Sequence, residues 1–97
     1  MRIPEGTKWV VSGEGGWRKC AARVVEENPR FVFATTMGRN FLIDRETGVE
    51  CNWGIQYRPC DEAEARAVYL EVRNHLVQMG ASDDYVEMLD TGMEMKP

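Results

Sequence analysis

RFVFATTMGRNFLIDRETG is the sequence of residues 30–48, and it contains two strand patterns separated by a short turn. The Phe-Val-Phe core of residues 30–36 is rich in strand-favouring side chains and predicts a strand that is buried on at least one side. A turn at residues 37–39 leads to a second strand at residues 40–44. Residues 45–48 are typical of a hairpin loop with Gly48 in a left-handed position. This stretch predicts an antiparallel sheet.

Three further strands are predicted around this hairpin. Residues 8–12 form the first, and the three glycines of residues 13–16 favour a loop after it. Residues 17–26 alternate between two faces, and residues 49–57 form a strand that Gly54 interrupts at a bulge or a barrel corner. Four or five short strands joined by tight turns predict a meander that curls into a small SH3-like antiparallel barrel.

One long helix is predicted to follow the strands, over residues 61–80. Pro59 precedes it, Asp61 is a good N-cap, Glu64 fits a capping box, and Gly80 ends the helix. An apolar stripe repeats every three or four residues, and we expect it to lie against the barrel. The stripe consists of Ala65, Val68, Tyr69, Val72, Leu76 and Met79. The predicted fold class is therefore α+β.

The size and composition of the chain are those of one small domain. It has 97 residues, of which 43% are hydrophobic and 29% are charged, as in globular proteins. We expect residues 1–80 to form the domain and residues 81–97 an acidic tail, in which Ser82 caps a short helix over residues 83–89. No apolar run reaches the length of a membrane helix, and the first residues lack the apolar stretch of a signal peptide. These features predict a cytoplasmic protein without a membrane partner.

Motifs for catalysis or metal binding are scarce in this sequence. The only histidine, His75, lies in the predicted helix, and a nucleophilic pair with a cysteine is the remotest interpretation. Residues 13–16 match neither the dinucleotide fingerprint nor the phosphate-binding loop. The chain has three cysteines, Cys20, Cys51 and Cys60. An odd number argues against a disulfide framework, and the lack of a Cys-x-x-Cys pair argues against a zinc site. We expect no enzyme activity, no cofactor and no metal.

Aromatic and basic side chains in the strand region form the first candidate binding surface. Trp17, Arg18 and Lys19 open the second strand, and Arg23 lies on the same strand face as Trp17 and Lys19. An indole beside guanidinium groups can stack a base or hold a phosphate, and tryptophan and arginine are equally enriched in protein–protein hot spots. Arg39, at the next turn, is added to this surface. The alternative is that the three tryptophans of the chain fill the core.

Charge divides the chain into two parts. Residues 1–60 hold nine Lys and Arg against seven Asp and Glu, whereas residues 61–97 hold three against nine. Asp83, Glu87 and Asp90 are spaced by four and three, so a continued helix would align their carboxylates toward a basic surface of a partner. The alternative is that they form a solvated helix face.

Six short motifs together form a recognisable pattern. They are Trp-Val-Val at 9–11, Gly-Trp-Arg-Lys at 16–19, Ala-Arg-Val-Val at 22–25, Arg-Phe-Val at 30–32, Arg-Asn-Phe at 39–41 and Asp-Arg-Glu-Thr-Gly at 44–48. The pattern resembles small β-barrel proteins encoded by bacteriophages and prophages, and the resemblance covers residues 8–80. It implies a barrel followed by a charged helix and carries over no catalytic residues. It also implies binding to a host protein or a host protein–nucleic-acid complex, as inhibitors of bacterial defence such as anti-CRISPR proteins do.

Two functions follow as expectations. The leading one is a small non-enzymatic binding protein that occludes or modulates a macromolecular partner in the cytoplasm of a bacterial host, for example a defence or nucleic-acid-processing complex such as CRISPR-Cas. The alternative is a nucleic-acid-binding barrel that uses the face with Trp17 and Arg23. The residues expected to bind a partner are Trp17, Arg18, Lys19, Arg23, Arg39, Asp83, Glu87 and Asp90.

Overall fold

The computed structural model describes residues 1–12, 19–36 and 39–87. These residues form five β-strands, one long α-helix and a helical turn at residues 83–87. The elements are β1 (Trp9–Ser12), β2 (Ala21–Glu27), β3 (Phe31–Thr36), β4 (Arg39–Asp44), β5 (Tyr57–Cys60) and α1 (Glu62–Gln78).

The strands form one antiparallel sheet in the order β4-β3-β2-β1-β5. The first four strands are a meander, because each pairs with the next along the chain, and β5 returns to pair with β1. The predicted α+β class and the antiparallel meander are therefore confirmed. The closed SH3-like barrel is not, since the sheet formed by the described residues is open between β4 and β5.

The predicted strand at residues 49–57 proves to be mostly a turn. Val49 makes an isolated bridge to Gln56, and Glu50 makes one to Ile43. Residues 51–53 form a turn directly after Glu50. Gly54 follows with φ 70°, a left-handed backbone conformation that residues other than glycine rarely adopt. The regular strand begins only at Tyr57.

Pro59 lies within β5, where it pairs with Val10, and not in a loop before the helix. Proline cannot donate a backbone hydrogen bond, so a sheet accepts it on an edge strand. In the described part of the sheet β5 has one neighbour, β1, and this edge position accommodates the proline.

The start of α1 follows the predicted capping pattern. The Asp61 carboxylate accepts a hydrogen bond from the Glu64 N–H at 2.8 Å, which satisfies one of the free amides of the first turn. The Glu64 carboxylate is directed to the guanidinium of Arg58, with one contact at 3.0 Å. The N-cap is confirmed, and its companion glutamate ties the helix to β5.

The core consists of two clusters, one on each face of the sheet. The first cluster contains Ile3, Val10, Ala22, Val32, Ala34, Ile43 and Tyr57. The second cluster lies between the sheet and α1 and contains Val11, Ala21, Ala65, Val68 and Tyr69. The opposite destinations of Ala21 and Ala22 confirm the predicted two-faced alternation of the second strand.

The apolar stripe of α1 is confirmed at four of its six residues. Ala65, Val68 and Tyr69 are buried, and Leu76 packs against the second cluster. Met79 was expected to belong to the stripe, but its side chain is 72% exposed, because the helix ends at Gln78 and Met79 is its C-cap. Gly80 follows at φ 92°, as expected for a helix end. Across the described residues, no helix is long and apolar enough to cross a membrane.

Candidate interaction surface

One face of the sheet is only partly covered by α1. The helix packs mainly against β1 and β2. Since Val32 and Ala34 point into the first cluster, Phe31 and Phe33 point to the opposite face of β3, where both are half-buried. Leu42 lies across from Phe33 on β4. We define the open sheet face by the six residues Arg23, Phe31, Phe33, Thr35, Asn40 and Leu42.

A row of paired residues crosses the sheet at one end of the open sheet face. Trp9 pairs with Arg23, Arg23 with Thr35, and Thr35 with Asn40. The Thr35 hydroxyl donates to the Arg39 carbonyl at 2.9 Å. Trp9 and Arg23 are both half-buried. The register thus places the Arg23 guanidinium group on the same face as the indole of Trp9, its direct neighbour on β1.

The charges around the open sheet face are of both signs. The Arg30 guanidinium carbon lies 5.3 Å from the centre of the Phe31 ring, within range of a cation–π interaction. Glu26 lies opposite Phe33, and Asp44 lies opposite Phe31. Groups of both charges are therefore present around the aromatic side chains, unlike the continuous basic track of a typical nucleic-acid groove.

An exposed aromatic side chain lies on the turn of residues 51–54, which we call the Trp53 turn. The side chain of Trp53 is 79% exposed, whereas that of Glu50 is only 2% exposed. The Glu50 carboxylate accepts hydrogen bonds from the backbone N–H groups of Asn52 and Trp53, each at 2.6 Å. The Gly54 N–H donates to the Glu50 carbonyl at 3.0 Å. A buried carboxylate thus holds the backbone of the turn that carries the exposed indole.

The Trp53 turn is attached to β4, the outermost strand at one end of the described sheet. The N–H of Cys51, its first residue, donates to the carbonyl of Leu42 at 2.8 Å, which attaches the turn to β4. Leu42 is itself a member of the open sheet face. The structure thus connects the Trp53 turn to the strand that carries Leu42.

The structure separates the basic residues that were predicted to act together. The Lys19 ammonium forms an ion pair with Glu71 of α1 at 3.3 Å. Arg39 is exposed at the start of β4, and its register partner Thr36 lies on the face opposite to that of Thr35 and Arg23. Trp17 and Arg18 lie outside the described residues. Of this group, the structure places only Arg23 on the open sheet face.

The acidic residues of the tail begin directly after α1. The Ser82 hydroxyl accepts the Tyr85 N–H at 3.2 Å, as expected of a cap. Asp83 and Glu87 are both exposed on the helical turn that follows, and their spacing of four places them on one face. Asp90 lies outside the described residues.

Two of the three cysteines are partly buried and have altered acidity. Burial raises the pKa of the Cys20 thiol, with hydrogen bonding from Tyr57 as a smaller opposing effect. Burial, together with the nearby Glu64 carboxylate, raises the pKa of Cys60 to about 11. Both thiols are therefore neutral and weakly nucleophilic at pH 7. Cys51 and His75 are exposed.

A shallow groove of about 550 Å³ runs between the start of β1 and the start of α1. It is lined by Gly6, Thr7, Lys8, Trp9, Pro59, Cys60, Asp61 and Glu62. In the part of the chain that the structure describes, no three His, Cys, Asp or Glu side chains are grouped to hold a metal ion.

Sequence reasoning missed Trp53 and the pair Phe31 and Phe33 as candidate binding residues. It gave the core as the alternative location of all three tryptophans, which is wrong for Trp53. The available signal was local: Glu50 precedes Trp53 by three residues and Gly54 follows it, a pattern that suits a side-chain-capped turn. For Phe31 and Phe33 the signal was their shared face, on a strand whose other face already carried Val32 and Ala34.

The comparisons with known proteins found no counterpart for this chain. No family model matches the sequence, and the searches of curated proteins and of solved structures found no match.

Proposed function

We propose that this chain is a non-enzymatic binding protein that occludes or modulates a macromolecular partner, with Trp53 as the main anchor. The observation that carries the proposal is the 79% exposure of the Trp53 indole on a turn held by the buried Glu50 carboxylate. A large apolar side chain in this position leaves much apolar area in water. Because its backbone is already ordered, little backbone entropy is lost when a partner binds. Tryptophan is among the residues that dominate the energy of protein interfaces.

The chemistry around the Trp53 turn favours a protein as the partner. The open sheet face supplies Phe33 and Leu42, and Glu26 and Asp44 lie among its aromatic side chains. Such a mixture of apolar area and charges of both signs is typical of protein interfaces, whereas carboxylates repel phosphates. The resemblance to phage-encoded proteins supports a partner in a bacterial host, such as a defence complex of the CRISPR-Cas kind.

The SH3-like barrel interpretation belongs to the same proposal. Two isolated bridges, from Ile43 to Glu50 and from Val49 to Gln56, extend from β4 toward the start of β5. They support a sheet that curves toward a barrel whose rim carries the Trp53 turn.

The test of the proposal is affinity capture from nuclease-treated bacterial lysate, followed by titration of the captured protein against purified variants. Trp53→Ala should weaken its binding by about tenfold or more, the usual effect at a hot spot. Tyr85→Ala is the matched control, since Tyr85 is also an exposed aromatic, at 42%, and lies beyond α1. Equal binding by wild type and Trp53→Ala would exclude the Trp53 turn as the anchor.

A second candidate function is direct binding of single-stranded nucleic acid. It is favoured by Phe31 and Phe33, which lie two residues apart on the open sheet face with Arg23 and Arg30 near them. Aromatic side chains on an exposed sheet can stack bases. This candidate corresponds to the alternative function predicted from the sequence, a nucleic-acid-binding barrel that uses the face with Trp17 and Arg23.

The same purified protein distinguishes the two candidates. Binding of a labelled oligonucleotide that falls steeply with salt and is lost in Phe33→Ala would support nucleic-acid binding. Absence of binding at about 50 mM salt would exclude it. A protein captured despite nuclease treatment supports the first candidate.

A further inference from the structure

The outward side of α1 carries a regular stripe that no described part of the chain covers. It consists of Ala63, Ala67, Leu70, Asn74 and Val77, all of them exposed. Leu70 and Val77 are 46% and 47% exposed, high values for large aliphatic side chains. The spacings are four, three, four and three, which is the a/d pattern of a coiled coil. The buried residues of α1 lie on the opposite side of the helix.

The residues beside the stripe carry opposite charges on its two sides. With Leu70 and Val77 at d positions, Arg66 and Arg73 occupy the g positions. The e positions hold Glu64, Glu71 and Gln78. One side of the seam is therefore basic and the other is acidic. In a coiled coil these flanking positions determine which helices pair and in which direction.

We propose that α1 is the surface through which two copies of this chain associate, with their helices parallel. In a parallel pair a g residue of one helix meets the e residue five positions later on the other. Arg66 of one copy then faces Glu71 of the second copy, and Arg73 faces Gln78. Two-fold symmetry makes each contact twice. In an antiparallel pair Arg66 and Arg73 would instead meet the basic side of the other helix, and Glu64 and Glu71 the acidic side.

Asn74 supports the same arrangement. It occupies an a position between Leu70 and Val77. A single polar residue at an a position fixes the register of a parallel pair, because its amide finds a partner only when it faces its own copy. The stripe thus encodes both orientation and register.

The intramolecular partners of Arg66 and Glu71 do not prevent the pairing of these two residues between copies. Arg66 contacts Glu62 at 3.3 Å and Glu71 contacts Lys19 at 3.3 Å. Both are ion pairs between exposed side chains, which contribute little energy and rearrange easily. Because Ala63 and Ala67 contribute little apolar area, the interface is small, and we expect a concentration-dependent dimer that exchanges rapidly.

Sedimentation velocity over a range of protein concentrations tests the association. The wild-type chain should shift from monomer to dimer as concentration rises, and Val77→Glu should remain monomeric. Val25→Glu is the matched control, because Val25 is 50% exposed but lies on β2, outside the stripe, so this variant should dimerise like wild type. Circular dichroism checks that each variant keeps its helix.

A charge-exchange series tests the direction of the pairing. Arg66→Glu and Glu71→Arg should each weaken the dimer several-fold, because each places like charges opposite one another. The double variant should recover it, because the pair is restored with its signs reversed. A parallel interface requires this recovery.

Three results would overturn the proposal. The first is a wild-type chain that stays monomeric at every concentration, as it would if the stripe bound a different protein. The second is a dimer that Val77→Glu leaves intact. The third is a double variant that dimerises no more tightly than the two single variants. This test is independent of the Trp53 turn, since none of the substitutions touches residues 50–54.

Discussion

Arg45 is fully buried, and its guanidinium binds two segments that are distant from it along the chain. Nη1 donates to the Ile3 carbonyl at 2.9 Å, Nε and Nη2 donate to the Asn28 carbonyl at 3.1 and 2.9 Å, and Nη2 also pairs with Glu27 at 3.0 Å. The Gly6 N–H and this guanidinium both hold the pKa of Glu27 below its usual range. Arg45 appeared in the sequence only as a turn residue, because its partners are distant along the chain.

Replacing Arg45 should destabilise the fold strongly. Arg45→Met keeps an unbranched apolar stem but removes all the donors, and it leaves the buried carbonyl of Ile3 without this partner. We expect a loss of about 3 kcal/mol in the free energy of unfolding, measured by urea denaturation. Arg30→Met, which removes an exposed guanidinium, should cost under about 1 kcal/mol. Similar losses for the two variants would contradict this assignment.

At the scale of the elements, the turn between β4 and the Trp53 turn depends on one glycine. Gly48 has φ 75°, and a Cβ there would approach the Tyr57 and Met1 carbonyl oxygens to 2.6 and 2.7 Å. Its N–H donates to the Asp44 carbonyl at 2.8 Å, and its own carbonyl accepts from the Tyr57 N–H at 2.8 Å. The hairpin loop predicted there is confirmed. Met1 and Tyr57 also approach Gly48 closely, and the local sequence pattern does not predict this second requirement for glycine.

Two alanine substitutions separate conformational strain from steric clash at these turns. Gly54 has φ 70° and open space around its Cβ position, so Gly54→Ala should cost about 1 kcal/mol for the left-handed conformation alone. Gly48→Ala has the same strain and also displaces backbone, so it should cost at least about 2 kcal/mol. Thermal unfolding of the two variants measures the difference. Equal losses would show that the backbone around residue 48 yields easily.

At the scale of the whole molecule, α1 and the sheet are stabilised by the same cluster. Ala65 and Val68 of α1 pack with Val11 of β1 and Ala21 of β2. The Arg58–Glu64 and Lys19–Glu71 ion pairs connect the helix to the sheet at further points. A 17-residue helix is marginal by itself, so it should open only when the sheet opens as well.

Hydrogen exchange of the Asp61→Ala variant tests this coupling. Loss of the N-cap should lower the free energy of unfolding by about 1 kcal/mol. If α1 and the sheet open together, the protection of the slowest amides in β1 should fall by the same amount as that of the amides in α1. A loss of protection confined to α1 would mean that the helix opens independently.

The sequence by itself determined the features that depend on neighbours along the chain. The N-cap Asp61, the helix end at Gly80, the hairpin loop before Gly48 and the alternation of Ala21 and Ala22 are all confirmed, because each is governed by backbone geometry within a few residues. These features were enough to predict an antiparallel meander with one packed helix, but not whether the sheet closes.

Tertiary structure alone decided the surface and the long-range contacts. Met79 and Trp53 are exposed, although their hydrophobicity is typical of buried residues. Pro59 lies in a strand. Burial of a side chain depends on what the rest of the chain places over it, and pairing of β5 with β1 depends on residues about 50 positions away. The candidate interaction surface follows from that arrangement, since α1 covers β1 and β2 and leaves Phe31 and Phe33 accessible.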